Sequence, residues 1–178
     1  MNGYRLFSVI KDKDGEETQS IYPKEGVYQN EDAAVSEYEV RLGTAMKSDN
    51  TNLATYLMVM NPVGEAIRNA YIAKTYDVTV INAGGEEITE AVQYEITPRL
   101  IDIKAMKDGT EEANVAKYDT VNDVHSNYHL KLGRAMQNKE VMAIVLYGID
   151  THGNQIEHNH WVRPIEPTVE EPEPVVEE

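Results

Sequence analysis

Residues 28–46 read YQNEDAAVSEYEVRLGTAM, and residues 118–136 read YDTVNDVHSNYHLKLGRAM. Tyr28 and Tyr118, Ser36 and Ser126, Tyr38 and Tyr128, Leu42 and Leu132, Gly43 and Gly133, Ala45 and Ala135, and Met46 and Met136 are identical across 19 ungapped positions at an offset of 90. Upstream, RLFSVIKDKDG at 5–15 matches RLIDIKAMKDG at 99–109 through Arg5/Arg99, Leu6/Leu100, Lys13/Lys107, Asp14/Asp108 and Gly15/Gly109, offset by 94. Downstream, Ala54/Ala143, Leu57/Leu146, Gly64/Gly153 and Ile67/Ile156 continue at an offset of 89. The matches keep their order and need only small gaps. The sequence therefore reads as a tandem duplication, and a duplication constrains the fold more than any local pattern does.

Each copy has the same grammar. Alternating runs at Tyr4–Lys11 and Arg99–Met106 predict strands. A Lys-Asp-Gly turn follows each. A second short strand leads to the shared Tyr28 or Tyr118. A helix comes next, over 28–47 and 118–137. Asn30 is its cap in the first copy, with Glu31 and Asp32 in the first turn; Thr120 is its cap in the second, with Asp123 three positions on. The expected apolar stripe is Tyr38, Leu42, Ala45 and Met46, and Tyr128, Leu132, Ala135 and Met136. Two strands close each unit: Leu53–Met60 then Glu65–Ile72, and Val141–Ile149 then Gln155–Val162. Their turns, NPVGE and DTHGN, both place Gly in a hairpin position. The fold class is α+β. Two ββαββ modules, 1–74 and 98–164, each lay one helix on a face of an antiparallel sheet. Residues 75–97 break at Ala83-Gly84-Gly85 and form a connecting β-hairpin. Residues 165–178, PIEPTVEEPEPVVEE without its first Pro, hold six Glu and no basic residue, and predict a disordered tail.

Gly43 and Gly133 repeat inside the helices, where Gly costs about 1 kcal/mol against Ala. The repetition predicts a place where another backbone approaches closely. That backbone is either the sheet beneath or the helix of the other module, and Gly→Ala is expected to destabilise. A module of about 70 residues buries a marginal core by itself, so the two are expected to pack together as a pseudo-dimer within one chain.

Composition excludes several function classes. The chain has 178 residues, 31 Asp+Glu against 16 Lys+Arg, a net charge of −15 and no Cys. No disulfide framework or Cys-containing zinc site is available. The charge argues against a nucleic-acid binder. No apolar run approaches the ~18 residues of a membrane span. The start, MNGYRLFSVIKDKDG, turns polar after Ile10, so no signal peptide is expected. Eleven Tyr against one Phe favours half-buried or interface positions, or simply Tyr in place of Phe as the strand aromatic.

No phosphate loop, nucleophile elbow or Cys nucleophile is present. DKDG at 12–15 reads as a hairpin turn and not a calcium loop. Histidines make the one constellation with chemical content. His125 and His129 are four apart on the second helix; His158 and His160 are two apart on the last strand. They would converge on a metal if the helix lay over that face of the strand. The competing reading, which we favour, is half-buried or surface histidines with no metal and no cofactor.

The second copy combines Tyr118, Tyr128, Leu132, Gly133, Ala135, Met136, Asp150, Gly153 and Trp161. That pattern, over residues 110–163 and more loosely 20–72, resembles small accessory proteins encoded among the structural genes of phages and prophages of Gram-positive bacteria. The resemblance implies a virion-associated or assembly role and carries no catalytic residue. The expected function is non-enzymatic: a phage structural or accessory protein, decorating a capsid or sitting at a head or tail junction, in the virion or the host cytoplasm. Its partners would be capsid or tail proteins, bound by exposed strand edges and Tyr, with no nucleic acid and no membrane. The alternative is an acidic phage-encoded inhibitor that mimics nucleic acid and blocks a host defence protein.

Overall fold

The computed structural model describes residues 2–165. The acidic tail expected at 165–178 lies, but for Ile165, outside the described residues. The first half runs β1 (Arg5–Lys11), β2 (Glu17–Tyr22), α1 (Glu31–Ala45), β3 (Ala54–Met60) and β4 (Ala66–Ala73). The hairpin β5 (Thr75–Ile81) and β6 (Glu87–Gln93) follows. The second half runs β7 (Arg99–Met106), β8 (Glu111–Lys117), α2 (Val121–Gln137), β9 (Val141–Ile149) and β10 (Gln155–Val162). The fold is α+β. Two four-stranded antiparallel sheets form, β2-β1-β3-β4 and β8-β7-β9-β10, while β5 and β6 pair with each other.

Local chemistry explains the boundaries. Asn30 accepts the Ala33 N–H at the start of α1, and the Thr120 hydroxyl accepts the Asp123 N–H at the start of α2. The Arg163 guanidinium donates to the carbonyls of Ala135, Met136 and Asn138 at the far end of α2. Four hairpin turns reuse one device. Asp12, Asn61, Asn82 and Asp150 each accept two backbone N–H groups, from the residues two and four positions on. The Asp12 carboxylate is thereby committed to its own turn.

The central strands decide the layering. Every residue of β3 is buried. Alternate side chains of a strand face opposite ways, so both faces of β3 must be covered. Leu57 and Val59 lie under α1 with Leu6, Ala34 and Tyr38. Tyr56, Met58 and Met60 face away and pack with Phe7 and Val9. In β9, Ile144 and Leu146 lie under α2, while Val145, Tyr147 and Ile149 face the opposite way. The faces away from the helices share one core, which also takes in Ile101, Ile103 and Ile96. The layers are therefore helix, sheet, sheet, helix.

The contacts across the sheet-to-sheet face are reciprocal. Arg5 pairs with Glu111, and Arg99 pairs with Glu17 at 2.6 Å. Arg5 and Arg99 occupy matching positions in β1 and β7, as do Glu17 and Glu111 in β2 and β8. Gly64 abuts Val145, and Gly153 abuts the Tyr56 ring. Gly64 and Gly153 are one matched pair; Tyr56 and Val145, both 89 residues apart, are another. In each case residue i of one half meets residue j of the other, and the converse.

Two expectations need correction. Met46 and Met136 do not lie on the buried stripe, being 68% and 45% exposed. Each helical residue turns about 100°, which returns Ala45 to the azimuth of Tyr38 but carries Met46 well past it. The buried residues of α1 are Ala34, Tyr38 and Ala45, and those of α2 are Val124, Tyr128 and Ala135. The helical glycines are also not sites of close approach. A Cβ at Gly43 or Gly133 would meet nothing within 4 Å. Both helices lie on the outside of the molecule, so neither meets the other. Nothing in the structure explains the glycine repeat there. Gly43→Ala and Gly133→Ala are accordingly expected to stabilise by roughly 0.4–1 kcal/mol each, and denaturant melts of the two variants will measure it.

Candidate functional site

The four histidines are divided by the sheet. In β10, His158 lies opposite Tyr147 and His160 opposite Val145. Tyr147 and Val145 belong to the core between the sheets, so His158 and His160 face that side. The His158 ring meets Tyr147 edge-on, with centroids 5.9 Å apart. Burial holds the His160 imidazole below its ordinary range. His125 and His129 ride on α2, over the other face. His125 Nδ1 lies 2.5 Å from Glu157 Oε1, and the His129 ring stands against Tyr128. The conditional convergence does not occur, for a geometric reason: the parity of β10 turns Glu157 and Trp161 toward the helix and His158 and His160 away from it. Among the described residues, no three His, Asp or Glu side chains gather to hold a metal ion.

The hairpin β5–β6 is the element with an unspent face. Only Lys74 separates β4 from β5, so β5 prolongs an edge strand beyond the sheet. Seven paired residues at about 3.3–3.4 Å each give an arm of roughly 23 Å. Its base is fixed to the body. Lys74 donates its N–H to the Leu53 carbonyl and accepts from Tyr94, both at 2.9 Å. The Tyr71 hydroxyl donates to the Tyr94 carbonyl, and burial pushes that phenol up to about 12. Lys11 donates to the Glu95 carbonyl, and Ile96 is buried in the central core.

Register sorts the arm into two faces. Tyr76 lies opposite Val92, Val78 opposite Glu90, and Val80 opposite Ile88. The other face carries Thr75, Asp77, Thr79, Thr89, Ala91 and Gln93, with Ile81 and Glu87 near the tip. One face is thus apolar with a single carboxylate, Glu90, at its middle. Tyr76 and Ile88 remain 42% and 37% exposed. Tyr76 also meets Tyr94, with ring centroids 4.7 Å apart. A two-stranded hairpin is marginally stable by itself, and among the described residues this one joins neither four-stranded sheet.

The sequence places a hairpin here but does not single out its apolar face. The signal is the alternation of Tyr76, Val78 and Val80 with Asp77 and Thr79, together with the lack of any Lys, Arg or His in residues 75–97. No protein family, curated protein or solved structure matches this chain.

Proposed function

We propose that the chain is a non-enzymatic phage structural or accessory protein that works through protein–protein contacts, as a capsid-decorating, head or tail component. The observation that carries this reading is the β5–β6 arm. It is anchored at its base, extends past the sheet, and offers an apolar face and free strand edges to another subunit. We further propose that the two halves are tandem copies of one ββαββ module held as a pseudo-dimer. The reciprocal Arg–Glu and glycine contacts support it, because a two-fold homodimer fused into one chain would leave such pairs. Among the described residues no helix is long and apolar enough to cross a membrane.

The nucleic-acid mimic gains less support. A mimic needs carboxylates in one ordered row, and the arm divides Asp77 and Glu87 from Glu90 between its two faces.

Quantitative mass spectrometry of purified particles from a phage that encodes the chain tests the reading. The full chain is expected at a fixed ratio to a major capsid or tail protein. A variant with residues 77–91 replaced by an Asn-Gly turn is expected to keep its thermal midpoint, since among the described residues β5 and β6 pair only with each other, and to be lost from the particle. Absence of the full chain from particles would overturn the structural role. Recovery of that chain bound to a host nuclease would favour the mimic.

A further inference from the structure

We propose that the apolar face of the β5–β6 arm seats on a protein surface that is apolar at its centre and basic around it, with one Lys or Arg placed to meet Glu90. This deepens the protein-contact reading above and rests on it.

Three observations select that partner. The first is the face itself: Tyr76, Val78, Val80, Ile88 and Val92 point one way and, apart from the contact of Tyr76 with Tyr94, lie outside both four-stranded sheets. Covering them on a partner removes apolar area from water and supplies the packing that an isolated hairpin lacks. The second is Glu90. It stands cross-strand from Val78, between Ile88 and Val92 on its own strand. Any surface that buries this face also buries that carboxylate, and a buried carboxylate needs a cation. The third is the charge of the whole segment. Residues 75–97 carry Asp77, Glu86, Glu87, Glu90 and Glu95, with no basic residue. The arm is therefore steered toward a positive surface and repelled by a negative one.

The same charge argues against other occupants. Two arms laid face to face would bury two copies of Glu90 in one apolar interface with no cation between them, so a second copy is a poor fit. Nucleic acid and anionic lipid are repelled by the same groups. A basic-bordered protein surface satisfies both the apolar face and its central acid.

The test uses the full chain, isotope-labelled for amide shift mapping, and three designed peptides of equal length. One alternates Val and Lys, one alternates Ser and Lys, and one alternates Val and Glu. The Val/Lys peptide is expected to shift arm amides between Tyr76 and Val92. The Ser/Lys peptide should bind at least about tenfold more weakly, because it lacks the apolar rows. The Val/Glu peptide should not bind. Glu90→Lys should weaken the Val/Lys peptide by about tenfold or more, and Val78→Ser should weaken it while leaving the charge unchanged. Both variants lie on the arm, so an unchanged thermal midpoint verifies the body.

Equal binding of the Ser/Lys and Val/Lys peptides would reduce the arm to a polyanion and overturn the proposal. So would shifts confined to the body. Sedimentation of the full chain supplies a further measurement: an arm-dependent dimer, abolished by Val78→Ser, would assign the face to a second copy instead. The particle assay separates this proposal from the broader one. If Glu90→Lys still joins the particle while the arm deletion does not, the arm contacts a subunit but the basic partner is wrong. If neither full chain nor variants join the particle, the structural role itself falls.

Discussion

Gly64→Ala and Gly153→Ala are each expected to cost about 3 kcal/mol or more. Two separate effects add. Gly64 has φ of +82° and Gly153 of +73°, and a residue with a Cβ gives up about 1–2 kcal/mol in that left-handed region. The new methyl also has no room. A Cβ at Gly64 would stand 1.9 Å from Val145 Cγ1, and a Cβ at Gly153 would stand 2.4 Å from Tyr56 Cδ2. Neither neighbour can step aside cheaply. Val145 is β-branched, stiff at χ1 and fully buried on a central strand. Tyr56 is packed against Phe7 and is almost fully buried too. Overpacking of this kind typically costs about 1–3 kcal/mol.

Gly109→Ala separates the two effects. Gly109 has φ of +87° and nothing within 4 Å of an added Cβ, so it should show the backbone cost alone. Urea melts that place Gly64→Ala level with Gly109→Ala would mean that the turn of one half does not press on the strand of the other. A coupled variant sharpens this. Val145→Ala leaves space beside Gly64, so adding Gly64→Ala to Val145→Ala should cost less than adding it to the wild type.

These glycines also mark where sequence reading reached its limit. Both pairs, Gly43/Gly133 and Gly64/Gly153, repeat in register, and repetition alone cannot say which pair is pressed by a neighbour. Gly64 and Gly153 already had a sufficient local reason in their turns, so their second role stayed hidden behind the first. The helical pair has no local reason in the sequence, and close packing is the reading that would supply one.

The secondary structure was legible because its causes are local. Asn30 and Thr120 sit where caps are needed, and Asp or Asn opens four of the hairpin turns. The strands β7, β9 and β10 begin and end where alternation and turn residues place them. The layering had a signal of its own. β3 reads ATYLMVM with hardly a polar residue, which means cover on both faces, yet each half has only one helix to give. The second cover had to be another sheet. For the histidines the open question was parity: His158 and His160 share a face, but which face depends on a cross-strand register that no local pattern states. The arm was visible as a hairpin, whereas its bare face is a tertiary fact, set by what does not pack against it.

Glu17→Gln is expected to cost about 3–5 kcal/mol, the range for removing one partner of a buried ion pair. Arg99 is 0% exposed, and the Glu17 side chain is 5% exposed. The guanidinium donates to Glu17 at 2.6 Å, to Gln19 at 3.0 Å, and to the Thr97 carbonyl. Glu17 also accepts the Thr97 N–H at 2.9 Å. Gln in place of Glu17 keeps the shape but leaves a fully buried cation with no counter-charge. Removing both charges with apolar residues of similar volume, as in Glu17→Leu with Arg99→Met, should cost much less than Glu17→Gln alone. The matched pair, Arg5 and Glu111, is less enclosed, with side chains 9% and 16% exposed, so Glu111→Gln should cost less than Glu17→Gln.

The pH dependence has a definite sign. Burial raises the Glu17 carboxyl, but the hydrogen bond and charge of Arg99 outweigh it, and the group lies below its ordinary value of 4.5. A carboxylate lowered on folding contributes stability that is complete above the unfolded value and lost as pH falls through the folded one. The wild type should therefore lose stability below pH 4.5 more steeply than Glu17→Gln, and the gap between them should narrow in acid. Melts at pH 7 and at pH 3 decide it: a gap that stays constant would mean the cost of the variant comes from packing, and that the charge on Glu17 does not hold the two sheets together.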